Sequence, residues 1–181
     1  MKKICMIVTD GFEEIEAVGT FAILRRGGVT VDIYSLLDKD ATGRFGLTCT
    51  KLLPFSKLDA AQYDLLVIPG GAQYKALEAS PEVHALIKQF MDAGKTVAAI
   101  CAGPTILGHD GYLKGRRYTC FTSMNEDFGG TYCEDYAVKD GNIISGKSAA
   151  ATIDFAFLVL EDAAGKTVAD QTKKAIYYKG N

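Results

Sequence analysis

Short apolar runs alternate along the chain with segments whose apolar residues recur at helical spacing. Nearly continuous apolar runs occupy residues 3–9, 64–68 and 96–100, which is typical of strands buried on both faces of a sheet. Helical spacing follows in residues 13–28 and 81–94, and each segment closes with glycine. Strands that alternate with helices predict βαβ units. We therefore expect an α/β fold of the flavodoxin-like (Rossmann-like) class, with a mainly parallel sheet and helices on both faces.

The rest of the chain extends this pattern less regularly. Residues 29–37 and 47–53 are predicted strands, as are 117–121, 131–138 and 142–145, and the apolar segment 148–164 predicts a buried helix before a last one at 168–175. No repeat, linker or low-complexity tract interrupts the sequence. We expect residues 1–181 to form a single domain.

Composition and charge narrow the functional classes. The 181 residues are 48% hydrophobic and 23% charged, which excludes a disordered chain, and the net charge of -2 argues against a nucleic-acid partner. No apolar run reaches the roughly 18 residues that span a bilayer, so no membrane partner and a cytoplasmic location are expected. Five scattered cysteines without a C-x-x-C pair fit neither a disulfide framework nor a zinc site. We expect no metal and no cofactor.

Candidate chemistry lies where the predicted parallel strands end, which is where ligands bind in such sheets. Cys101 directly follows a strand, and Ala99 and Gly103 provide the small neighbours that a sharp strand-to-helix turn requires. A helix N-terminus there would lower the thiol pKa, and the amides of Ala102 and Gly71 would face a developing oxyanion. The alternative is that Cys101 is only a small buried hydrophobe at a strand end.

Three motifs at strand ends carry a family resemblance. They are V-I-P-G-G at 67–71, A-A-I-C-A-G-P at 98–104 and G-F-E-E-I-E at 11–16. In this order they resemble the ThiJ/PfpI superfamily, most closely the branch that contains the Parkinson's-associated protein deglycase and its bacterial YajL-like relatives. The resemblance extends from residue 3 to residue 178.

The resemblance implies roles for individual residues. Cys101 matches the reactive cysteine, Glu16 the glutamate that hydrogen-bonds it, and Gly71 and Ala102 the oxyanion amides; Arg44 matches an arginine near the partner subunit's site. Gly70, beside Gly71, is a further candidate for substrate binding. From sequence alone Glu16 fits equally well as a solvated acid of the first helical turn, but a carboxyl enclosed beside a thiol should have a raised pKa and remain a proton donor. Glu13 and Glu14 are interpreted as surface or interface groups.

The sequence also departs from the family pattern. Phe121 stands where the human branch has a histidine, and Ala102 stands where PfpI-type proteases have one. His109 is eight positions beyond Cys101, about 12 Å along a helix, and His84 is interpreted as a helix-surface residue. No histidine base can be assigned within one chain, which argues against proteolysis unless a partner chain supplies one.

Two classes of function remain. The first is a cysteine-dependent enzyme of glyoxalase or deglycase type, in which Cys101 and Glu16 act on a small electrophile, an α-oxoaldehyde, or on a glycated thiol or protein. The second is a redox sensor or chaperone that uses a Cys101 sulfinic acid. A PfpI-type intracellular protease or amidase and a thiazole-monophosphate biosynthesis protein are further alternatives, although no phosphate loop is present.

Two expectations concern assembly and reactivity. A homodimer is expected from the resemblance and from the apolar residues Phe12 and Ile15. Cys101 is expected to oxidise first, because the other four cysteines lie in predicted strands where burial would limit access: Cys5, Cys49, Cys120 and Cys133.

Overall fold

A seven-stranded sheet forms the centre of the protein in the computed structural model, which describes residues 1–180. The strands, in chain order, are β1 (Ile4–Val8), β2 (Val31–Ser35), β3 (Ala41–Thr42), β4 (Thr48–Cys49), β5 (Leu53–Pro54), β6 (Leu65–Ile68), β7 (Thr96–Ile100), β8 (Arg117–Tyr118), β9 (Thr131–Tyr132), β10 (Ala137–Asp140) and β11 (Ile143–Gly146).

The central sheet is parallel except at one edge. Its strand order is β10-β11-β7-β6-β1-β2-β5, and only β10 runs antiparallel, paired with β11. The short strands β3 and β4 form a separate antiparallel hairpin, and β8 pairs with β9. The expected flavodoxin-like α/β fold is confirmed.

Helices cover both faces of this sheet. They are α1 (Thr20–Arg26), α2 (Tyr74–Glu78), α3 (Pro81–Asp92), α4 (Gly103–His109), α5 (Thr152–Ala164) and α6 (Lys166–Ala175), and a π-helical turn over Ile15–Gly19 precedes α1. Helices α1, α5 and α6 contribute to one hydrophobic core, and α3 and α4 to the other. None of the helices in residues 1–180 is both long and apolar enough to cross a lipid bilayer.

Strand β1 shows why its sequence is almost continuously apolar. Met6 and Val8 pack into the core beneath α1 and α5, whereas Cys5 and Ile7 pack into the core beneath α3 and α4. Successive side chains of a strand point to opposite faces, so a strand covered on both faces needs apolar residues at every position.

Several predicted strands are shorter than their sequence suggests. The segment 47–53 divides into β4 and β5 around Lys51, whose φ is +59°, and 131–138 divides between β9 and the start of β10. The helix α2 was not predicted, because its five residues are too few to show a helical period.

Two expectations about individual side chains are wrong. Phe12 is fully buried in its own core and cannot contribute to a dimer contact, whereas Ile15 is 58% exposed. Cys49 and Cys133 are only partly buried, and Cys120 and Cys133 lie just beyond the ends of their short strands. Burial therefore protects Cys5 and Cys120 but not the other two.

Candidate functional site

The site lies at the carboxyl ends of three adjacent strands, β1, β6 and β7. An isolated bridge pairs Phe12, beyond β1, with Gly71, beyond β6. The buried side chain of Gln73 links the same two strand ends: its Oε1 accepts a hydrogen bond from the Thr9 amide at 2.8 Å and its Nε2 donates to the Pro69 carbonyl at 2.7 Å. Sequence reasoning missed Gln73, and its position just after the Gly-Gly pair was the available signal.

Cys101 occupies a strained turn between β7 and α4. Its φ of +63° is rare for a residue with a side chain, and such strain concentrates at functional sites. Two backbone hydrogen bonds of 2.8 Å hold the turn: the Cys101 amide donates to the Gly146 carbonyl, and the Phe121 amide donates to the Cys101 carbonyl. A Cβ at Gly103 would lie 2.8 Å from the Ile68 carbonyl oxygen, so the tight turn requires glycine there.

Glu16 is fully buried beside this turn. It lies in the π-helical turn, a feature often found at functional sites. Its Oε2 accepts a hydrogen bond of 2.7 Å from the Gly70 amide, whereas Oε1 is buried with no hydrogen-bond partner among residues 1–180. Burial raises the pKa of Glu16 to about 7. A carboxyl that keeps its proton near neutral pH can donate it from Oε1.

The Cys101 thiol differs from the sequence expectation. Its pKa is raised and not lowered, because the thiol is largely buried and lies beside Glu16, and these effects outweigh the opposing amides of Ala102 and Gly71. The thiol and the carboxyl therefore compete for ionisation and titrate as a coupled pair. Protonation of Glu16 removes the repulsion, so the pair favours a single negative charge.

The two glycines after β6 allow the close approach of these groups. A Cβ on Gly70 would lie 2.7 Å from Glu16 Oε2 and 2.8 Å from the Cys101 Cβ. Gly71 has a φ of +90°, and a Cβ there would lie 2.4 Å from the Glu13 amide nitrogen. Neither position can carry a side chain without displacing the site.

The sequence suggested that Glu13 and Glu14 are surface or interface groups, but neither is a freely exposed surface group. Glu13 is buried, and its Oε2 accepts a 2.8 Å hydrogen bond from the Glu16 amide, which fixes the π-helical turn. Glu14 is half-buried, and its Oε1 accepts a 2.6 Å hydrogen bond from the Phe45 amide. Glu14 thus holds the loop between β3 and β4, which carries Arg44.

A cavity of about 550 Å³ opens above Cys101. Five of the six predicted site residues line it, and the sixth, Gly70, lies behind it against Glu16. The lining residues are Glu13, Glu16, Arg44, Phe45, Gly71, Ala72, Tyr74, Lys75, Cys101, Ala102, Phe121, Met124, Ser148, Ala149 and Ala150. Tyr74, Lys75 and the segment 148–150 were not predicted, because only the tertiary structure brings their separate segments to the same strand ends.

The two histidines lie elsewhere. His84 Nδ1 is 2.8 Å from Asp110 Oδ1, and His109 Nδ1 is 2.7 Å from Glu78 Oε1. His84 is half-buried beside Asp110 and is not the simple helix-surface residue that was expected. Neither histidine lines the cavity. In residues 1–180 no three His, Cys, Asp or Glu side chains are grouped so that they could hold a metal ion.

Comparison with known proteins agrees with this arrangement. The family model described as "DJ-1/PfpI family" matches residues 2–162. The chain belongs to the DJ-1/PfpI family. The ThiJ/PfpI resemblance drawn from the three motifs is confirmed.

Individual relatives cover most of the chain. "Deglycase TK1284" of Thermococcus kodakarensis is 32% identical over 80% of this chain and 89% of its own. The crystal structure of a cysteine-to-alanine mutant of DJ-1 superfamily protein STM1931 from Salmonella typhimurium has a TM-score of 0.89 and 33% identity, covering 98% of this chain and 99% of that one. Oxidized Toxoplasma gondii DJ-1 has a TM-score of 0.91 and 26% identity, covering 98% and 99%.

Proposed function

We propose that this member of the DJ-1/PfpI family is a cysteine-dependent, cofactor-independent enzyme that acts on α-oxoaldehydes or on their glycation adducts. The observation that carries the proposal is the pairing of Cys101, on its strained turn, with a buried carboxyl whose pKa lies near 7. A relative of similar length is named a deglycase, which favours the same chemistry.

The first step is addition of the thiol to the aldehyde. The Cys101 sulfur forms a bond to the aldehyde carbon while the electron pair of the C=O bond moves to oxygen, which takes up the proton given up by the thiol. Glu16 carries this proton between the two atoms, and the amides of Gly71 and Ala102 stabilise the developing oxyanion. The product is a hemithioacetal.

The second stage is an internal redox exchange. Glu16 as carboxylate removes the proton from the former aldehyde carbon, and the neighbouring keto oxygen is protonated, which gives an enediol. The hydroxyl on the former aldehyde carbon then gives up its proton and becomes the thioester carbonyl, while the neighbouring carbon takes up a proton through Glu16. The product is the thioester of a 2-hydroxy acid, so one carbon is oxidised and the other is reduced. Water then hydrolyses the thioester and releases the free thiol. The net reaction adds one water and needs no external oxidant.

Turnover of methylglyoxal to lactate tests the proposal. Wild-type protein should convert it, Cys101→Ala should lose at least about a thousandfold of kcat/KM because no bond to substrate can form, and Glu16→Gln should lose about 10²- to 10⁴-fold, the usual contribution of acid–base catalysis. Cys133→Ala is the matched control, because Cys133 does not line the cavity. Activity that survives in Cys101→Ala would refute the proposed role of this residue.

A second candidate function is redox sensing by the same thiol. Two equivalents of peroxide convert a thiol first to sulfenic and then to sulfinic acid, with one water released at each step. The sulfinate oxygens would accept hydrogen bonds from protonated Glu16 and from the Ala102 amide. The similar T. gondii protein whose structure is described as oxidized favours this alternative.

We also propose that the chain assembles as a homodimer. Four apolar side chains are substantially exposed on the π-helical turn and the β3–β4 loop: Ile15, Val18, Phe45 and Leu47. Val18 and Leu47 line an apolar cavity of about 350 Å³ together with Phe21 and Cys49. An exposed apolar patch of this kind commonly marks a protein interface, and a second copy of the chain would cover it.

A further inference from the structure

The cavity above Cys101 is large for the smallest α-oxoaldehydes. A volume of about 550 Å³ lies within the range that encloses ligands of many more atoms than methylglyoxal. The part of the substrate that does not react must therefore contact the cavity wall, and the chemistry of that wall determines which substrates are preferred.

The wall is positively charged on one side. Lys75 and Arg44 both line the cavity, and neither makes a salt bridge or a side-chain hydrogen bond within residues 1–180. The Arg44 amide donates to the Phe12 carbonyl at 2.8 Å, and Phe12 pairs with Gly71. These contacts place the Arg44 loop beside the segment after β6 that leads to Lys75, so both cations lie on the β1–β6 side of Cys101.

The carboxyl groups of the cavity do not neutralise these cations. Glu16 is fully buried, and burial raises its pKa to about 7. Its carboxyl accepts a hydrogen bond from the Gly70 amide. Glu13 is buried and accepts the Glu16 amide. The opposite side of the cavity carries the apolar side chains of Phe121 and Met124. The Phe121 amide donates a hydrogen bond to the Cys101 carbonyl.

We infer that Lys75, with Arg44, is a specificity-determining residue that selects substrates carrying a negatively charged group. The inference rests on the proposed function. The substrate class is an α-oxoaldehyde with a carboxylate on its non-reacting end: the aldehyde carbon meets Cys101, and the carboxylate meets the cations on the β1–β6 side. A charge-assisted hydrogen bond forms there, and one formed in a partly enclosed site is strong.

A matched pair of substrates tests the charge directly. 4,5-Dioxopentanoate and its methyl ester present the same reacting end and differ in the negative charge. Initial rates at low salt should give the carboxylate about a tenfold higher kcat/KM than the ester in the wild type. Lys75→Gln should lower this ratio about fivefold, and Lys114→Gln, a change of an exposed lysine outside the cavity, should keep the wild-type ratio.

A second measurement makes the test independent of turnover. Cys101 is alkylated in parallel by iodoacetate, which is anionic, and by iodoacetamide, which is neutral. In both reactions the thiolate sulfur displaces iodide, so the ratio of the two rates reports the effect of the negative charge on the reagent. Lys75→Gln should slow iodoacetate relative to iodoacetamide about fivefold, and 0.5 M salt should reduce the difference because exposed charges are screened.

The outcomes separate the two claims. Equal kcat/KM for the acid and the ester in the wild type, with both lost in Cys101→Ala, would overturn the anion preference and leave the proposed function standing. If no α-oxoaldehyde is turned over, the proposed function fails, and a Lys75-independent alkylation ratio then overturns the anion site as well. A Lys75-dependent ratio supports the anion site for whatever reaction the cysteine performs.

Discussion

At the scale of single residues, Cys101 and Glu16 depend on each other's protonation. Burial raises the pKa of both groups, and the two side chains lie close enough for the protonation of one to affect the other. Near neutral pH the protonated carboxyl of Glu16 is the neighbouring side chain that can donate a hydrogen bond to a Cys101 thiolate. The same proton serves the addition step of the proposed reaction and the sulfinate of the redox alternative.

Oxidation by mild peroxide should therefore begin at Cys101. Cys101 is only partly buried as a residue, and its thiol alone lies beside amide donors from Ala102 and Gly71 and beside a carboxyl group that can take up the thiol proton. Peptide mass spectrometry over a peroxide titration should show sulfinic acid at Cys101 before modification of Cys133, the partly exposed thiol that serves as the internal control. Glu16→Leu should slow this oxidation or let it continue to sulfonic acid. Earlier oxidation of Cys133 or Cys49 would contradict the expectation.

At the scale of elements, three helices around the site are joined by a histidine. His84, in the first turns of α3, contacts Asp110 at the end of α4 through Nδ1 and the Glu78 carbonyl at the end of α2 through Nε2, the latter at 2.7 Å. Both ring nitrogens face acceptors, so only the protonated imidazolium satisfies both. The Asp110 carboxylate, and then the Glu78 carbonyl, raise the pKa of His84.

This contact makes stability depend on pH with a definite sign. Because the folded state holds the His84 proton more tightly than the unfolded state, the contribution is fully present below the ordinary histidine pKa, near 6.5, and is lost as pH rises through the raised value. Asp110→Asn should cost about 1 kcal/mol at pH 5.5 and less at pH 9, as measured by urea unfolding.

Asp92→Asn is the control for that measurement. Asp92 forms an exposed salt bridge with Lys88 on the same helix, α3, and contacts no histidine. Its effect should be small and nearly the same at both pH values. An Asp110→Asn penalty that does not decrease between pH 5.5 and 9 would show that His84 is not protonated in the folded protein.

At the scale of the whole molecule, the exposed apolar patch is the feature that a single chain leaves unexplained. Its residues lie near β1 and the β3–β4 hairpin, well away from the β10 edge of the sheet. A stable protein interface buries about 1,200–2,000 Å² in total, and the cavity beside Val18 supplies apolar surface for part of it.

We expect sedimentation to give twice the chain mass of 19.5 kDa at micromolar concentration. Ile15→Glu should shift the protein toward the monomer, because it places a charge in the patch without disturbing the core, Ile15 being 58% exposed. Tyr136→Glu, at a comparably exposed residue just before β10, is the matched control and should remain dimeric. A wild-type monomer at these concentrations would rule out the proposed assembly.

The sequence by itself determined the fold class and the position of the sharp turn at Cys101. Periods of two and of about 3.6 residues reflect local geometry, and apolar runs at β1, β6 and β7 specify strands buried on both faces. The small residues around Cys101 and the glycines at 70–71 report sharp turns and close contacts, which are also local requirements. For that reason Cys101 and the glycines could be proposed from the local sequence, whereas Glu16 was proposed only through the family resemblance.

Only the tertiary structure decided what surrounds these residues. The raised pKa of Cys101 depends on burial and on a carboxyl 85 positions earlier in the chain. The local sequence, which places the thiol at a helix N-terminus, therefore predicts the wrong direction for this pKa shift. The positions of three other residues also depend on distant segments: Glu13 is buried beside Gly71, Phe12 is enclosed in the core, and Lys75 is brought to the cavity by α2. The burial and the electrostatic environment of a residue depend on contributions from many segments that are distant in the sequence. A local sequence pattern does not indicate which segments those are.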